Sequence, residues 1–501
     1  MKNAAVNKPS YADLEAKNEL LQSEVTYLKH ELQELRRLIF GQKRERFVPE
    51  MPPEQLDFTL EVTTAKPPVE TTESISYTRR KNKKASKPAS RNPLPEHLPR
   101  KEIIIKPAEN TDGLKKIGEE ITEELEYKPA KLYVNRYVRP KYARPDSGDE
   151  QLSGVIIGML PSRPIEKGIA GPGLLAHIAI GKFVDHLPLY RQQQQFKRLG
   201  VEIASSTLSD WVKATCELLE PLYELLRVRV LSADYLMADE TPIKVLDRQK
   251  KKGRTHQGYH WVYYSPIERL ALFDYRESRG AREGPSLMLE NFQGFLQTDG
   301  YKGYNGIASR PGVIAVGCMA HARRYFDKAK SCDPENAEWM LTHIQSLYQI
   351  EKELRENGLD PEYRYQIRQK YALPILAEIR AWLDEKAKRV LPKSAMGEAI
   401  TYMNNQWPRL ERYTADGRLE IDNNLVENQI RPVALGRKNY LFAGSHNGAR
   451  WAATIYSLVA TAKQHQIEPL AYLKDVLSRI ADHPYSKLAE LLPPEWKLPG
   501  K

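Results

Sequence analysis

Cysteine is scarce in this chain of 501 residues. Only Cys216, Cys318 and Cys332 are present, which is an odd number, and no two of them form a Cys-x-x-Cys pair. So sparse a set excludes a disulfide scaffold and favours a reducing compartment.

Long apolar runs are also absent from the sequence. No segment approaches the roughly 18–20 apolar residues that a membrane-spanning helix requires, and the first residues lack the apolar stretch of a secretion signal. We therefore expect a cytoplasmic protein without membrane contact.

The charged residues show a moderate basic excess. Lys and Arg total 76 and Asp and Glu total 65, which gives a net charge of +11 and a pI near 9.2. This balance favours a polyanionic partner such as nucleic acid. A basic protein without such a partner has the same composition, so charge alone does not decide between them.

The N-terminal segment has a heptad repeat of apolar residues. Its two core positions hold Leu14, Leu21, Leu28 and Leu35, and Asn18, Val25, Leu32 and Ile39. A core Asn followed by Val favours a parallel pair of helices. The repeat predicts a leucine-zipper coiled coil within residues 1–47 and a homodimer through residues 11–40. A single amphipathic helix packed on its own chain is the alternative.

The composition then changes twice before residue 161. Residues 48–100 combine scattered prolines with the basic run Arg79–Lys87, which predicts a flexible basic linker. Residues 101–160 contain alternating apolar and polar stretches such as Lys131–Val138, which predicts a small β module. This module contains no cysteine.

Residues 161–230 show helical periodicity interrupted by a turn signal. A predicted helix over Tyr190–Leu199 ends at Gly200, which suits a helix C-cap. Thr207–Asp210 then resembles the capping box of a second helix. Helix, glycine turn and capped helix form a helix-turn-helix outline.

This outline predicts a DNA-binding region in residues 161–230. Lys197, Arg198 and Lys213 are the side chains that we expect to contact phosphate. Trp211 and Val212 are expected in the core. Plain packing of two core helices is the alternative to DNA recognition.

Four predicted strands and one helical stretch follow. The strands are Tyr235–Asp239, His260–Tyr264, Leu270–Tyr275 and Phe295–Asp299, and the helical stretch Ser286–Asn291 precedes the last strand. Three strands, a helix and a fourth strand match a ribonuclease-H-like arrangement. The first and fourth strands are neighbours in that arrangement.

Two of these strands end on an aspartate, Asp239 and Asp299, and Glu427 begins a later predicted helix. Carboxylate oxygens are ligands that suit Mg²⁺ or Mn²⁺. Two such cations can activate an attacking oxygen and stabilise a leaving oxygen. We therefore predict that these three acids are catalytic and bind metal. Arg431, four positions after Glu427 on the same helix face, is predicted to hold a DNA phosphate.

Four motifs support a specific resemblance. They are Ala238–Pro242, Thr298–Tyr301, Cys318–Arg324, and Asp422–Asn428 with Ile430–Pro432. Together they resemble the motifs of the DDE transposases of insertion sequence family 66, and the resemblance extends over nearly the whole chain.

The resemblance implies a domain arrangement and further site residues. The catalytic core would comprise residues 231–329 and 417–465, with a helical insertion at 330–416 and a C-terminal tail at 466–501. By the same resemblance Asp239, Asp299 and Glu427 bind the divalent metals, and His321 and Arg323 position DNA. The expected fold is multidomain α/β, with a coiled coil, a small β module, a helical DNA-binding region and a ribonuclease-H-like core.

Zinc is not expected in this protein. Cys318 and His321 have a Cys-x-x-His spacing, but no second Cys/His pair lies nearby in the sequence to complete four ligands. Members of the resembled family commonly carry a cysteine-based zinc module, whereas the matching residues Pro107–Glu150 contain no cysteine. Mg²⁺ or Mn²⁺ is therefore the expected cofactor.

The resemblance implies a function, namely cleavage and joining of DNA at the ends of an insertion sequence by phosphoryl transfer. It also implies the element's terminal repeats, the target DNA and accessory transposition proteins as partners. Two alternatives remain at this point, a catalytically silent DNA-binding regulator and a structure-selective nuclease of the same fold.

Overall fold

The computed structural model describes residues 132–138, 141–143, 155–157, 161–166, 168–247 and 255–497. The predicted coiled coil in residues 1–47, its dimer segment and the linker at 48–100 lie outside these residues. Most of the predicted β module lies outside them as well.

A mixed five-stranded sheet is the centre of the described fold. The described strands are β1 Lys141–Ala143, β2 Val155–Ile157, β3 Tyr235–Leu246, β4 Thr255–Ser265, β5 Leu270–Arg276, β6 Gly294–Gln297 and β7 Val313–Val316. The sheet order is β5-β4-β3-β6-β7, and β1 pairs with β2 separately. β5, β4 and β3 are antiparallel, whereas β3, β6 and β7 run parallel.

The four strands predicted from the sequence are confirmed in position, but their bounds differ. β3 and β4 extend beyond the predicted residues, and β6 ends before Asp299. Of the alternation predicted at Lys131–Val138, the described residues 132–138 are exposed and are not part of a strand. The observed pairing of this part of the chain is the short β1–β2 ribbon.

Helices surround the sheet. They are α1 Pro172–Phe183, α2 Leu189–Arg198, α3 Ser205–Leu231, α4 Pro285–Met288, α5 Asn305–Ala308, α6 Met319–Ala329, α7 Pro334–Glu356, α8 Pro361–Ile367, α9 Leu373–Lys386, α10 Ala395–Leu410, α11 Asn424–Tyr440, α12 His446–Gln464 and α13 Pro469–Arg479. A π-helical turn, Arg368–Ala372, joins α8 to α9. Among the described residues, no helix combines the length and apolar composition needed to span a membrane.

The helix α12 covers the edge strand β5. The backbone N–H of Ala271 donates to Thr461 Oγ1 at 3.1 Å, and that of Phe273 donates to Ser457 Oγ at 2.8 Å. Helix hydroxyls thus satisfy donors that an unprotected edge strand would offer to another chain. The small hydroxyl residues also let the helix approach the strand closely, so the sheet is closed on this side.

The helix-turn-helix outline is present with different bounds. α2 ends at Arg198 and Gly200 has φ +81°, as a glycine C-cap requires. The capping box predicted at Thr207–Asp210 is wrong, because α3 already begins at Ser205 without a side-chain cap. α3 is 27 residues long, and its later turns contribute buried residues to the core.

Candidate active site

The strand pairing brings two aspartates close to each other on neighbouring inner strands of the sheet. β3 and β6 run parallel with Met237 opposite Gln297, and Asp239 and Asp299 each follow two residues later. Both carboxyl groups are half-buried. Gly300 has φ +90°, a conformation that turns the chain at once after Asp299 and that other residues adopt only with strain.

The helix α11 carries Glu427 in its first turn and is fixed against β3 at both ends. Near its start, Asn423 Nδ2 donates to the carbonyl of Ala238 at 3.1 Å. Further along, the Arg437 guanidinium donates to Thr241 Oγ1 at 2.8 Å and to the Pro242 carbonyl at 2.7 Å. These bonds hold the Glu427 helix in a constant position beside the strand of Asp239.

The electrostatics of Asp239 reflect the other acids around it. Burial raises the pKa of Asp239 well above its usual value, and the negative charges of Asp299, Glu240 and Glu427 raise it further. Like charges this close oppose one another's ionisation. A bound cation would remove that repulsion, and carboxylate oxygens are the ligands that Mg²⁺ and Mn²⁺ prefer, so these residues fit divalent metals.

Glu240 is a further acid beside Asp239, and it was not predicted as a site residue from the sequence. Its carboxylate accepts from Arg279 Nε at 2.8 Å, and the Arg279 guanidinium stacks 3.9 Å from the centre of the Tyr301 ring. Burial raises the pKa of Glu240, against the opposing effect of Arg279. Since Tyr301 follows Asp299 by two residues, this cluster braces the turn that holds Asp299.

Arg324 is the cation that contacts Glu427, and sequence reasoning missed it. Its Nη2 donates to the two Glu427 carboxylate oxygens at 3.3 and 3.1 Å, and its Nη1 lies 3.2 Å from His321 Nε2. Burial lowers the pKa of His321, and the charge of Arg324 lowers it further. Both effects favour the neutral imidazole, against the opposing charge of Glu427. In the sequence, the position of Arg324 within the motif Cys318–Arg324 was the signal that could have identified it as a site residue.

A buried amide joins the segments around the site. Gln297 Nε2 donates to the carbonyls of Gly317 and Glu420, both at 2.8 Å, and its Oε1 accepts from the Tyr235 hydroxyl at 2.5 Å. The same hydroxyl accepts from the Glu420 backbone N–H at 3.0 Å. Gln297 thus ties β6 to the residues that lead into α6 and into α11.

A fully buried ion pair supports the segment before α11. Arg368 Nε and Nη2 each donate to Glu351 at 2.7 Å, and both side chains have 0% exposure. Arg368 also donates to the carbonyls of Tyr413, Asp416 and Leu419, at 2.8, 2.9 and 2.8 Å. The predicted helical insertion at 330–416 thereby fixes the segment that leads into α11, the helix of Glu427.

The structure places the remaining predicted DNA contacts on two parts of the chain. Arg323 on α6 and Arg431 on α11 are exposed on the two helices that carry His321 and Glu427. Lys197 and Arg198 are exposed at the end of α2, and Lys197 lies 3.5 Å from Glu202. Their contacts with phosphate stay a prediction.

Lys213 lies on α3 and pairs with Glu217 at 3.8 Å, so it also faces solvent with an acidic neighbour. Trp211 and Val212 of the same helix are buried, as expected of core residues. Exposed ion pairs of this kind contribute little to stability, so they leave the lysine available to another anion.

Comparison with known protein families extends over most of the sequence. Residues 167–451 match "Transposase IS66 family", 457–493 match "IS66 C-terminal element", and 27–103 match "Transposase C of IS166 homeodomain". The resemblance inferred from the motifs is confirmed. These matches indicate a DNA-processing enzyme with DNA as its partner.

The expectation that zinc plays no part is wrong. Residues 110–143 match "zinc-finger binding domain of transposase IS66", a domain associated with zinc. These residues contain neither cysteine nor histidine, so the usual zinc-finger ligands do not occur in them. The absence of cysteine had suggested that zinc was irrelevant, and the family match overturns that inference.

Two proteins of Sinorhizobium fredii are similar to this chain over nearly its full length. Uncharacterized protein y4jD is 34% identical over 499 residues, which cover 95% of this chain and 94% of that protein. Uncharacterized protein y4hP is 32% identical over 506 residues, which cover 94% of this chain and 89% of that protein. With these relatives and a family match to residues 167–451, the chain belongs to the IS66 family of transposases.

Proposed function

We propose that the protein is a DDE transposase that cleaves and joins DNA at the ends of its insertion sequence by two-metal phosphoryl transfer. The observation that carries the proposal is the parallel pairing of β3 with β6 beside α11, with Asp299 and Glu427 both raising the pKa of Asp239. The sheet order β5-β4-β3-β6-β7 supports a ribonuclease-H-like core.

Asp239, Asp299 and Glu427 would hold two Mg²⁺ or Mn²⁺ ions. When bound, such ions activate the attacking water or 3′-hydroxyl and stabilise the leaving oxygen. Because the pKa of Asp239 is raised, protonation of this carboxyl competes with metal binding. The protein contributes by fixing the three carboxylates through the bonds of Asn423, Gln297 and Arg437.

The basic side chains on α6 and α11 would position the DNA. Arg323 and Arg431 are exposed on the same two helices that bring His321 and Glu427 together, which supports a role for both in contacting the phosphate backbone. His321 is a neutral donor or acceptor beside this surface. Lys197, Arg198 and Lys213 would add contacts from α2 and α3.

The proposed domain organisation follows the sequence. A coiled coil in residues 1–47 would dimerise the protein through residues 11–40, so that one dimer holds both ends of the element. Residues 231–329 and 417–465 would form the catalytic core, with the insertion at 330–416 between them. Accessory transposition proteins would be further partners.

Asp239→Ala tests the proposed function. We expect it to abolish cleavage of DNA carrying the element's ends, because the remaining two carboxylates cannot hold both cations. DNA affinity in a gel-shift titration should stay within about threefold of the unchanged protein, since phosphate contacts supply most of that affinity. Asp327→Asn, which changes an exposed acid on α6, serves as the control. Cleavage by Asp239→Ala at the rate of the unchanged protein would refute the proposal.

A further inference from the structure

Three chemically different side chains meet beside the carboxylates. His321 Nδ1 lies 3.2 Å from Cys318 Sγ and 3.9 Å from Glu427 Oε1. The three atoms all lie within 4.8 Å of one another. Sulfur, imidazole nitrogen and carboxylate oxygen therefore face one common point, although Glu427 is remote from the other two in the sequence.

We propose that Cys318, His321 and Glu427 form a zinc-binding site. Metal–ligand distances of about 2.0–2.3 Å give tetrahedral ligand–ligand edges of about 3.3–3.7 Å. The distances of 3.2 Å and 3.9 Å from His321 Nδ1 to the other two ligands are close to these edges. A thiolate with an imidazole favours Zn²⁺ over Mg²⁺, which prefers oxygen ligands. Three protein ligands leave a fourth position open to water.

The backbone already holds these ligands together. Cys318 precedes α6 and His321 lies in the first turn of that helix, so the two face the same side. The Asn423 backbone N–H donates to Cys318 Sγ at 3.2 Å, and the Met319 N–H donates to the Ile421 carbonyl at 3.1 Å. The residues entering α6 and α11 are thus joined before a metal arrives, which lowers the cost of assembling the site.

Arg324 competes with the metal. Its guanidinium donates to Glu427, and it faces His321 Nε2 at 3.2 Å. Once Nδ1 binds a metal, Nε2 carries the ring proton and can no longer accept from Arg324. The Arg324 side chain is 54% exposed and is free to turn towards solvent. Removing it should therefore tighten zinc binding.

The site shares Glu427 with the proposed catalytic triad. Zinc bound to Cys318 and His321 would withdraw this carboxylate from the pair formed by Asp239 and Asp299. If the protein has the proposed function, zinc bound at this site therefore inhibits DNA cleavage. Binding itself does not depend on that function, so it can be tested separately.

Titration of the untagged full-length protein with Co²⁺ tests the site. Co²⁺ bound to a thiolate gives a near-ultraviolet charge-transfer band, and only three cysteines are present in the chain. We expect this band at one equivalent of Co²⁺, its loss when Zn²⁺ is added, and its persistence in excess Mg²⁺. Cys318→Ser should remove the band, whereas Cys332→Ser, the matched control, should retain it.

Further variants separate the site from protein folding and from catalysis. His321→Gln changes a partly exposed side chain and should weaken Co²⁺ binding about tenfold or more, with an unchanged far-ultraviolet circular dichroism spectrum. Arg324→Ala should bind Co²⁺ more tightly. Asp299→Asn should keep the band even though the proposed function requires it to lose cleavage. Absence of the band in the unchanged protein, or its survival in Cys318→Ser, would overturn the zinc site.

Discussion

Replacing Arg368 by leucine should lower the free energy of unfolding by about 3–5 kcal/mol. The substitution leaves the Glu351 carboxylate buried without its bidentate partner, with the Arg364 contact at 3.3 Å still in place. It also removes the Arg368 donor from the carbonyls of Tyr413 and Leu419, whereas the Asp416 carbonyl still accepts from the Leu419 N–H at 3.2 Å. Each buried polar group left unpaired adds to the loss.

Denaturant unfolding measures this prediction, and the insertion offers a matched control. Arg389→Leu breaks an exposed pair with Glu385, whose side chains are 71% and 55% exposed. It should cost less than about 1 kcal/mol. The double variant Glu351→Leu/Arg368→Leu should recover part of the lost stability, because no unpaired charge stays buried. A loss for Arg368→Leu as small as that of Arg389→Leu would contradict the prediction.

Glu427→Gln should reduce cleavage of end-bearing DNA by about ten-thousand-fold or more, as the loss of an essential catalytic group does in other enzymes. The amide keeps the size of the side chain but removes the charge that would hold a cation. It also removes the charged partner of Arg324, whose Nη2 lies 3.1 Å from the carboxylate. Single-turnover cleavage at saturating protein separates this loss from weakened DNA binding.

The control for this variant is Glu411→Gln, which changes an exposed glutamate after α10. It should cleave at the rate of the unchanged protein. Melting temperatures of both variants should match that of the unchanged protein within about 2 °C, the shift that about 1 kcal/mol causes in a protein of this size. A Glu427→Gln rate within about tenfold of the unchanged rate would exclude this glutamate from the chemistry.

The positions of the aspartates were predictable because they depend on local sequence. Apolar runs ending on Asp239 and Asp299 identify strands by their composition, and the spacing of elements between them favours neighbouring strands. β3 and β6 pair accordingly. The helix carrying Glu427 was recognisable from its start at Asp422–Asn424, where Asp422 Oδ1 accepts from the Asn424 N–H.

The contacts that fix these residues were not predictable from local patterns. β7, four residues between two glycines, is too short to show a period, and its pairing with β6 decides its structure. Gln297 and Arg368 are polar residues whose burial depends on partners from remote segments. Isolated polar residues are mostly exposed, so residue type alone does not indicate the burial of either one.

Cleavage of DNA with sulfur in place of one non-bridging oxygen of the scissile phosphate shows whether divalent cations contact that phosphate during the reaction. If cations held by Asp239, Asp299 and Glu427 contact that phosphate, cleavage should slow in Mg²⁺ and recover in Mn²⁺, because sulfur binds the softer ion better. The oxygen-containing DNA should react in both metals. Equal cleavage of the sulfur and oxygen substrates in Mg²⁺, or cleavage without any divalent cation, would contradict a two-metal transposase.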